Sequence, residues 1–284
     1  MRSVGVIGLG LIGGSFARAA TAAGATVVGA DSCAQTRRAA LEAGVVRAAY
    51  DSPSAVCGAD DIFIAVPVGS VESIFADIAD ALSPTSVIFD GGSCKRSVIS
   101  KAAEQLGDNR RRFVPSHPIA GNENSGFSAS NVDLFKNCWA VLCTDGVDEE
   151  AVQVVSLAWQ QVGANTVNMS AAEHDDIFAV VSHLPHLLSY ALVESIRTRP
   201  DSARYLHYAA SGFRDFTRVA SSHPIMWRDI CLANADNLLA SLVRFREELD
   251  TLEGAIKDGN SVLLYERFAS ARQLRRDWAA TLED

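Results

Sequence analysis

The fold of this chain is decided close to its beginning, at a turn. An apolar run, Ser3–Ile7, passes directly into Gly8-Leu9-Gly10-Leu11-Ile12-Gly13, and a segment rich in small residues continues from Leu11 to Ala23 with helical spacing. Three glycines between a strand and a helix have separate physical tasks. The first permits a tight turn, the second leaves room for a pyrophosphate against the backbone, and the third lets the helix pack closely on the strand. The first amides of the helix lack intrahelical partners and can face the phosphates. Asp31 closes the next apolar run, Thr26–Ala30, eighteen residues after Gly13, where a carboxylate can bind ribose hydroxyls. A 2′-phosphate would be repelled there, so NAD is expected rather than NADP; Arg37 and Arg38 weaken that preference but read as solvated helix residues. Leu11 and Ile12 in the turn, and Val66-Pro67 where the run Asp61–Val66 ends, are expected against the same cofactor.

The alternation begun by this turn continues. Apolar runs at Asp61–Val66, Ser86–Asp90, Phe113–Ser116, Cys138–Cys143 and Asn165–Asn168 are mostly separated by helix-length pieces such as Gln35–Ala43, Ser70–Ala81 and Glu149–Val162. Near-continuous apolar strands with helices between them imply a parallel sheet covered on both faces. Residues 1–168 are therefore expected to form an α/β, Rossmann-type, doubly wound domain. From Ser170 the texture changes. Ser170-Ala-Ala-Glu173 has capping-box spacing and opens a helix to about Arg197 that is apolar nearly all round. Further helical segments follow at 203–209, 213–220, 224–257 and 261–281, with Asp258-Gly259 as a stop. Residues 169–284 thus read as an all-helical dimerisation domain, because a helix apolar on every side must be covered on every side.

Composition excludes several alternatives. With 34 acidic against 25 basic residues and a net charge of -9, there is no basic stripe to track a phosphate backbone, so nucleic acid is not an expected partner. The six cysteines form no C-x-x-C pair and read as reduced thiols of a cytoplasmic protein. The glycines and Arg18 argue against a secretory signal at the N-terminus, and no run is read as reaching the ~20 apolar residues of a membrane span. No membrane partner and no metal are expected. His183 and His186 lie three apart, and His174 with Asp175 is more than two turns away along the same helix, too far to complete one metal site.

Two further segments sit where open α/β sheets bind ligands, beyond the carboxyl ends of the strands. Asp90-Gly91-Gly92-Ser93-Cys94-Lys95 begins a helix, with Ser93 either its N-cap or a ligand-facing hydroxyl, or both. His117 closes the following strand at the same rim, its backbone restricted to an extended form by Pro118, and the glycine-punctuated loop from Pro118 to about Asn137 is long enough to be functional. A histidine at that rim reads as catalytic.

Five motifs in order, Gly8-Leu-Gly-Leu-Ile-Gly-Gly-Ser15, Asp90-Gly-Gly-Ser-Cys-Lys95, His117-Pro-Ile-Ala-Gly-Asn-Glu-Asn-Ser-Gly126, Ser182-His-Leu-Pro-His186 and Gly212-Phe-Arg-Asp-Phe-Thr-Arg218, resemble the prephenate/arogenate dehydrogenase family from Val4 to at least Trp227. Gly91 and Ser211 depart from the family pattern, where a bulkier apolar residue and a glycine are common. The resemblance implies NAD-dependent oxidative decarboxylation of a cyclohexadienyl acid, with His117 as base and Ser93 hydrogen-bonded to the reacting group and orienting the imidazole. It further implies that Arg218 clamps a substrate carboxylate and that His183 and His186 lie beside the substrate pocket, though a buried histidine there could instead bond a backbone carbonyl freed by Pro185; Asn122 and Trp227 are read as lining the same pocket, with core packing the commoner use of a tryptophan. Arg214 is the competing cation, though an arginine beside Asp215 reads as an ordinary ion pair. A homodimer through the helical domain is implied too.

Overall fold

The computed structural model describes residues 2–281. The chain opens with β1 (Val4–Ile7), α1 (Leu11–Ala22), β2 (Val27–Ala30), α2 (Ala34–Glu42), the two-residue β3 (Ala49–Tyr50), β4 (Asp61–Ile64), α3 (Val71–Ile78), β5 (Val87–Asp90), α4 (Arg96–Gln105) and β6 (Phe113–Val114). These strands form one six-stranded sheet in the order β3-β2-β1-β4-β5-β6, with every pair parallel. The order reverses beside β1, the point at which such sheets open a crevice for a ligand. Both faces are covered, as the apolar strands require. On one, Phe16, Phe63, Phe89, Phe135 and Trp159 make a buried aromatic cluster; on the other, Ile62, Ile64, Phe75 and Phe113 pack with Trp227 and Ile230 from far along the chain.

Past β6 the sequence-based expectation of one continuous parallel sheet fails. Phe113–Ser116 reads as a single strand, but Pro115 has no N–H to continue a ladder. The chain breaks there and starts β7 (Ser116–Pro118), which with β8 (Trp139–Cys143) and β9 (Asn165–Met169) makes a separate three-stranded sheet. In it β7 runs antiparallel to β8, and β8 parallel to β9. Helix α5 (Glu149–Gln161) connects the last two strands. His117 therefore sits mid-strand in this small sheet, paired with Val141, rather than at the end of a parallel strand.

The helical remainder comprises α6 (Ala171–Phe178), a π turn (Ala179–His183), α7 (Leu184–Arg197), α8 (Ser202–His207), α9 (Ser211–Thr217), α10 (Pro224–Ala233), α11 (Ala235–Lys257) and α12 (Ser261–Ala280). Ser170 caps α6, accepting from the Glu173 amide at 3.1 Å. The long helix read from Ser170 to Arg197 is thus two α segments with one widened turn between them. Pro185, at the start of α7, cannot donate to the preceding turn, and a π turn accommodates that loss. Contrary to the reading of the sequence, Ala171–Arg197 is long and apolar enough to cross a membrane by length and composition, an 18-residue stretch within it reaching a mean hydropathy of 1.4. Its polar side chains His174, Asp175, His183 and Ser189 are nevertheless buried within the protein, and Asp175 is bonded to the start of α4. The helix also leaves Val180 and Val181 exposed, Val181 by 63 %.

The segment 224–257, read as one helix, is broken at Asn234, whose backbone leaves the helical region (φ -123°, ψ 37°). The contacts of the chain divide it into two compact units, one ending at Leu238 and one beginning at Leu239. In the second, α12 has no buried residue, and Val262, Tyr265, Phe268 and Leu274 stand exposed.

Candidate active site

The glycine turn has the form its spacing demands. Gly8 adopts φ +88°, and a Cβ built on Gly13 would lie 1.8 Å from the Gly8 carbonyl oxygen, so α1 could not pack on β1 with any side chain there. Gly10 differs: a Cβ on it meets nothing within 4 Å. The open space lies at the N-terminus of α1, where no side chain caps the helix, leaving amides free for a phosphate. Asp31 accepts from Leu9 N through Oδ2 and from Cys33 N through Oδ1, both at 2.8 Å, which fixes its carboxylate beside the turn while each oxygen keeps a further lone pair. Arg37 is spent on the Asp31 and Ser32 carbonyls. These residues fit a dinucleotide carrying unphosphorylated ribose. Val66 and Pro67 follow β4, and the Val66 side chain lies against Gly8.

His117 is held by the strand that carries it. Ser116, immediately before it, is buried and bonded on every side. Its N–H donates to Asp90 Oδ1 at 2.9 Å, its carbonyl accepts from Lys95 Nζ at 2.7 Å, its hydroxyl donates to the Asp90 carbonyl, and Trp159 Nε1 donates to that hydroxyl at 3.1 Å. Lys95 is fully buried and ion-paired with Asp90 Oδ2 at 2.6 Å. A buried pair of this kind is tolerable because its remaining hydrogen-bonding capacity is used. Asp90 also accepts from Gly92 N at 2.9 Å, so it closes the turn after β5 as well as anchoring the backbone of β7.

The His117 ring packs against Phe178, with centroids 4.8 Å apart, and its Nδ1 lies 2.8 Å from His174 Nε2. His174 Nδ1 in turn lies 2.8 Å from Asp175 Oδ1. The same carboxylate accepts from the amides of Lys95 (Oδ1, 2.8 Å) and Arg96 (Oδ2, 2.9 Å), so Asp175 is the cap of α4. Ser93 is therefore not the N-cap: the helix begins after Lys95 and no side chain from its own segment caps it. The Ser93 hydroxyl is half-buried and bonded to no described residue, and the hydrogen-bonded partner of the His117 ring is His174. Burial, reinforced by His174, Lys95 and His183, holds His117 well below the ordinary imidazole value.

A second group of side chains adjoins the first. The Asn234 amide donates to the Asp175 carbonyl at 2.7 Å and lies 3.2 Å from His183 Nδ1, which accounts for the break between α10 and α11. Burial pushes His183 down to about 4. His186 Nδ1 donates to the Ser182 carbonyl at 2.9 Å, and its ring stacks on Trp227 with centroids 3.5 Å apart and planes 17° from parallel. Trp227 Nε1 is a buried donor without a hydrogen-bonded partner among the described residues. Burial lowers His186 too, the hydrogen bond to the Ser182 carbonyl opposing this and the positive charge of Arg218 adding to it. Arg218 itself is 58 % exposed and binds Glu123 at 2.6 Å. Asn122 is exposed, its side-chain oxygen accepting from Asn124 N in a local turn. Arg214 is exposed and pairs only with Asp215.

Of the residues read from the sequence, the glycines and Asp31 form the cofactor turn, His117 and His183 belong to one hydrogen-bonded group, His186 stacks on Trp227, and the Ser93 hydroxyl, Asn122 and Arg218 make no hydrogen bond to that group among the described residues. His174, read from the sequence only as able to line the cleft, joins that group, and so do Asp175 and Asn234, which had been assigned no role in it. The pair His-Asp at the start of an apolar helix was the available signal, since two adjacent polar groups there need partners when buried.

Both parts of the chain resemble known proteins. Residues 16–168 match the prephenate dehydrogenase nucleotide-binding domain, and residues 170–270 the prephenate dehydrogenase dimerization domain. A cyclohexadienyl dehydrogenase of Zymomonas mobilis is 35% identical over 281 residues, covering 96% of this chain and 95% of that one. Among solved structures, Aquifex aeolicus prephenate dehydrogenase, in complex with hydroxyphenyl propionate and NAD+, is 31% identical with a TM-score of 0.88, over 97% of this chain and 98% of that chain. Synechocystis arogenate dehydrogenase is 28% identical with a TM-score of 0.81, over 97% of this chain and 99% of that chain. With both of its parts matched in order and its relatives aligned almost end to end, the chain belongs to the prephenate dehydrogenase family of NAD-dependent oxidoreductases.

Proposed function

We propose that this protein oxidises and decarboxylates prephenate, arogenate or both, with His117 as the base. The observation that carries the assignment is that His117 Nδ1 is engaged by His174 while Nε2 is bonded to no described residue. A neutral imidazole with one bare nitrogen can take the proton of a substrate hydroxyl. The ring carbon bearing that hydroxyl loses hydride, carbon dioxide leaves the opposite ring carbon, and the ring becomes aromatic. The proton returns from His117 to the phenolic oxygen, so the reaction releases none. NAD, when bound at the glycine turn, supplies the hydride acceptor. Ser93 offers a free hydroxyl to the reacting oxygen, and Arg218 binds a substrate carboxylate by a charge-assisted contact. His183, His186, Trp227 and Asn122 border the substrate.

Residues 1–168 then hold the cofactor and residues 169–284 the substrate, the latter pairing with a second copy of this chain. The exposed apolar side chains of α12 support that pairing, as does the family description of residues 170–270. Six free cysteines are in keeping with a reducing cytoplasm. The test is spectroscopic: protein and NAD are mixed with prephenate, and separately with arogenate, and NADH absorbance is followed. NADH should appear with at least one substrate, and silence with both removes the proposal.

A further inference from the structure

The line of buried groups behind His117 has a polarity that can be read from its far end. Asp175 is wholly buried. Burial alone would raise its carboxyl, but the His174 N–H and the amides of Lys95 and Arg96 outweigh this and hold it below the ordinary carboxylate value. An ionised carboxylate can only accept, so the proton between it and His174, across 2.8 Å, is on His174 Nδ1. Burial, only partly offset by Asp175, lowers His174 and keeps its ring neutral, so its Nε2 is an acceptor. The 2.8 Å contact from that nitrogen to His117 Nδ1 then requires the proton to be on His117 Nδ1. His117 Nε2 is left bare.

We propose that His174 is a positioning residue for the oxidation: held by Asp175, it accepts a hydrogen bond from His117 Nδ1 and so locks His117 in the tautomer whose Nε2 is free to take the substrate proton. This rests on the reading of His117 as the base. The lock matters because a free neutral imidazole favours the opposite tautomer, with its proton on Nε2, and only a partner at Nδ1 reverses that preference. Wrong-tautomer states leave geometry intact and turnover low.

The lock is anchored by backbone. Asp175 is bonded to the first two amides of α4, a ten-residue helix whose N-terminal dipole favours a negative charge. Its position is fixed from the nucleotide-binding side, while His174 is fixed by α6, so the tautomer of His117 depends on α4 and α6 being seated on each other. The charged groups that face the line act in opposite senses. Lys95 and His183 oppose a positive charge on His117, and Lys95 opposes one on His174, whereas Asp175 and Asp90 favour one on His174. Asp175 is thus the counterweight to Lys95 at His174.

Two substitutions separate an acceptor from mere bulk. His174→Leu fills the space without accepting, and His174→Gln keeps an amide oxygen that can accept. The leucine variant should lose about 10²-fold in kcat, with the KM for prephenate and the Kd for NAD nearly unchanged. The glutamine variant should recover to within about tenfold of the parent. Nitrogen NMR of isotopically labelled imidazole in the intact protein should show the His117 proton on Nδ1, and a mixture of tautomers in His174→Leu. Equal loss in both folded variants, full activity in the leucine variant, or a parent spectrum with the proton on Nε2 each overturns the proposal. The spectrum needs no turnover, so a chain that oxidises neither substrate would remove the functional reading while the tautomer was still decided.

Discussion

Arg218 Nη1 donates to the Glu123 carboxylate at 2.6 Å, so the guanidinium proposed to take a substrate carboxylate already holds one from the loop after β7. The two residues are 95 positions apart and both reach solvent, Arg218 at 58 % and Glu123 at 31 % exposure of the side chain. An ion pair so exposed contributes on the order of 0–1 kcal/mol, little enough for a substrate to displace.

Removing the competitor should therefore help binding. Glu123→Gln is expected to lower the KM for prephenate by up to about fivefold, the most that a surface pair of this strength can withhold. Arg218→Gln should raise it by about 10–100-fold with kcat little changed, since a charge-assisted contact is worth roughly 1.5–3 kcal/mol. Steady-state kinetics on the two variants decides the matter. A KM that rises in Glu123→Gln would mean that the carboxylate itself helps to hold substrate.

His117→Asn removes the base while keeping a group of similar reach on a strand pinned by Asp90 and Lys95. Turnover should fall by about 10²–10⁴-fold. The Kd for NAD, measured by fluorescence titration, should hardly change, because the glycine turn and Asp31 belong to β1, α1 and the end of β2 rather than to β7. Turnover within a few-fold of the parent would place the base elsewhere.

How far these residues could be read without coordinates depended on whether the responsible interaction was local. The roles of Gly8 and Gly13 follow from backbone conformation and close approach within one turn, and their spacing alone conveys them. His117 was legible as a site residue, but its strand was misplaced, because Pro115 ends one ladder and Ser116 finds its partners in Asp90 and Lys95. Ser93 looked like a helix cap by position, yet the amides it was expected to satisfy are taken by Asp175, 80 and 79 residues away. Asn234 lay inside a helical pattern and breaks it because its side chain is needed at the Asp175 carbonyl. Each failure is a long-range hydrogen bond overriding a local preference, and most of them meet at Asp175.

The roles of the second and third glycines of the turn can be separated by alanine. A methyl group at Gly13 would lie 1.8 Å from the Gly8 carbonyl, so Gly13→Ala must displace α1 from β1 and lower the melting temperature markedly. A methyl group at Gly10 meets nothing within 4 Å, so Gly10→Ala should melt like the parent, apart from a small helix-terminus effect. It should nonetheless bind NAD about tenfold or more weakly, as the methyl enters the space where the pyrophosphate approaches. Thermal melts and NAD titration on the pair test this. Unchanged NAD affinity in Gly10→Ala would move the phosphates away from the start of α1.

Acid should act on this protein in two ways, both through buried imidazoles. Burial lowers His117, His174, His183 and His186 from the ordinary value of 6.5, His183 to about 4. Between the unfolded and folded values the unfolded chain binds more protons, so stability is fully present above about 6.5 and is lost as pH falls through that value toward the folded ones. Asp61 opposes this: burial raises it to about 6, so its contribution weakens as pH rises from its ordinary 3.8. Four groups outweigh one, and the melting temperature should drop between about pH 7 and pH 5. For activity the sign is the same but the position differs. A base held well below its ordinary value stays unprotonated at pH 6.5, so kcat/KM should remain level down to about that pH and decline only beneath it. An acid limb centred at or above 6.5, absent from the residual activity of His117→Asn, would show that the ring is hydrated in the working enzyme rather than packed against Phe178 and His174.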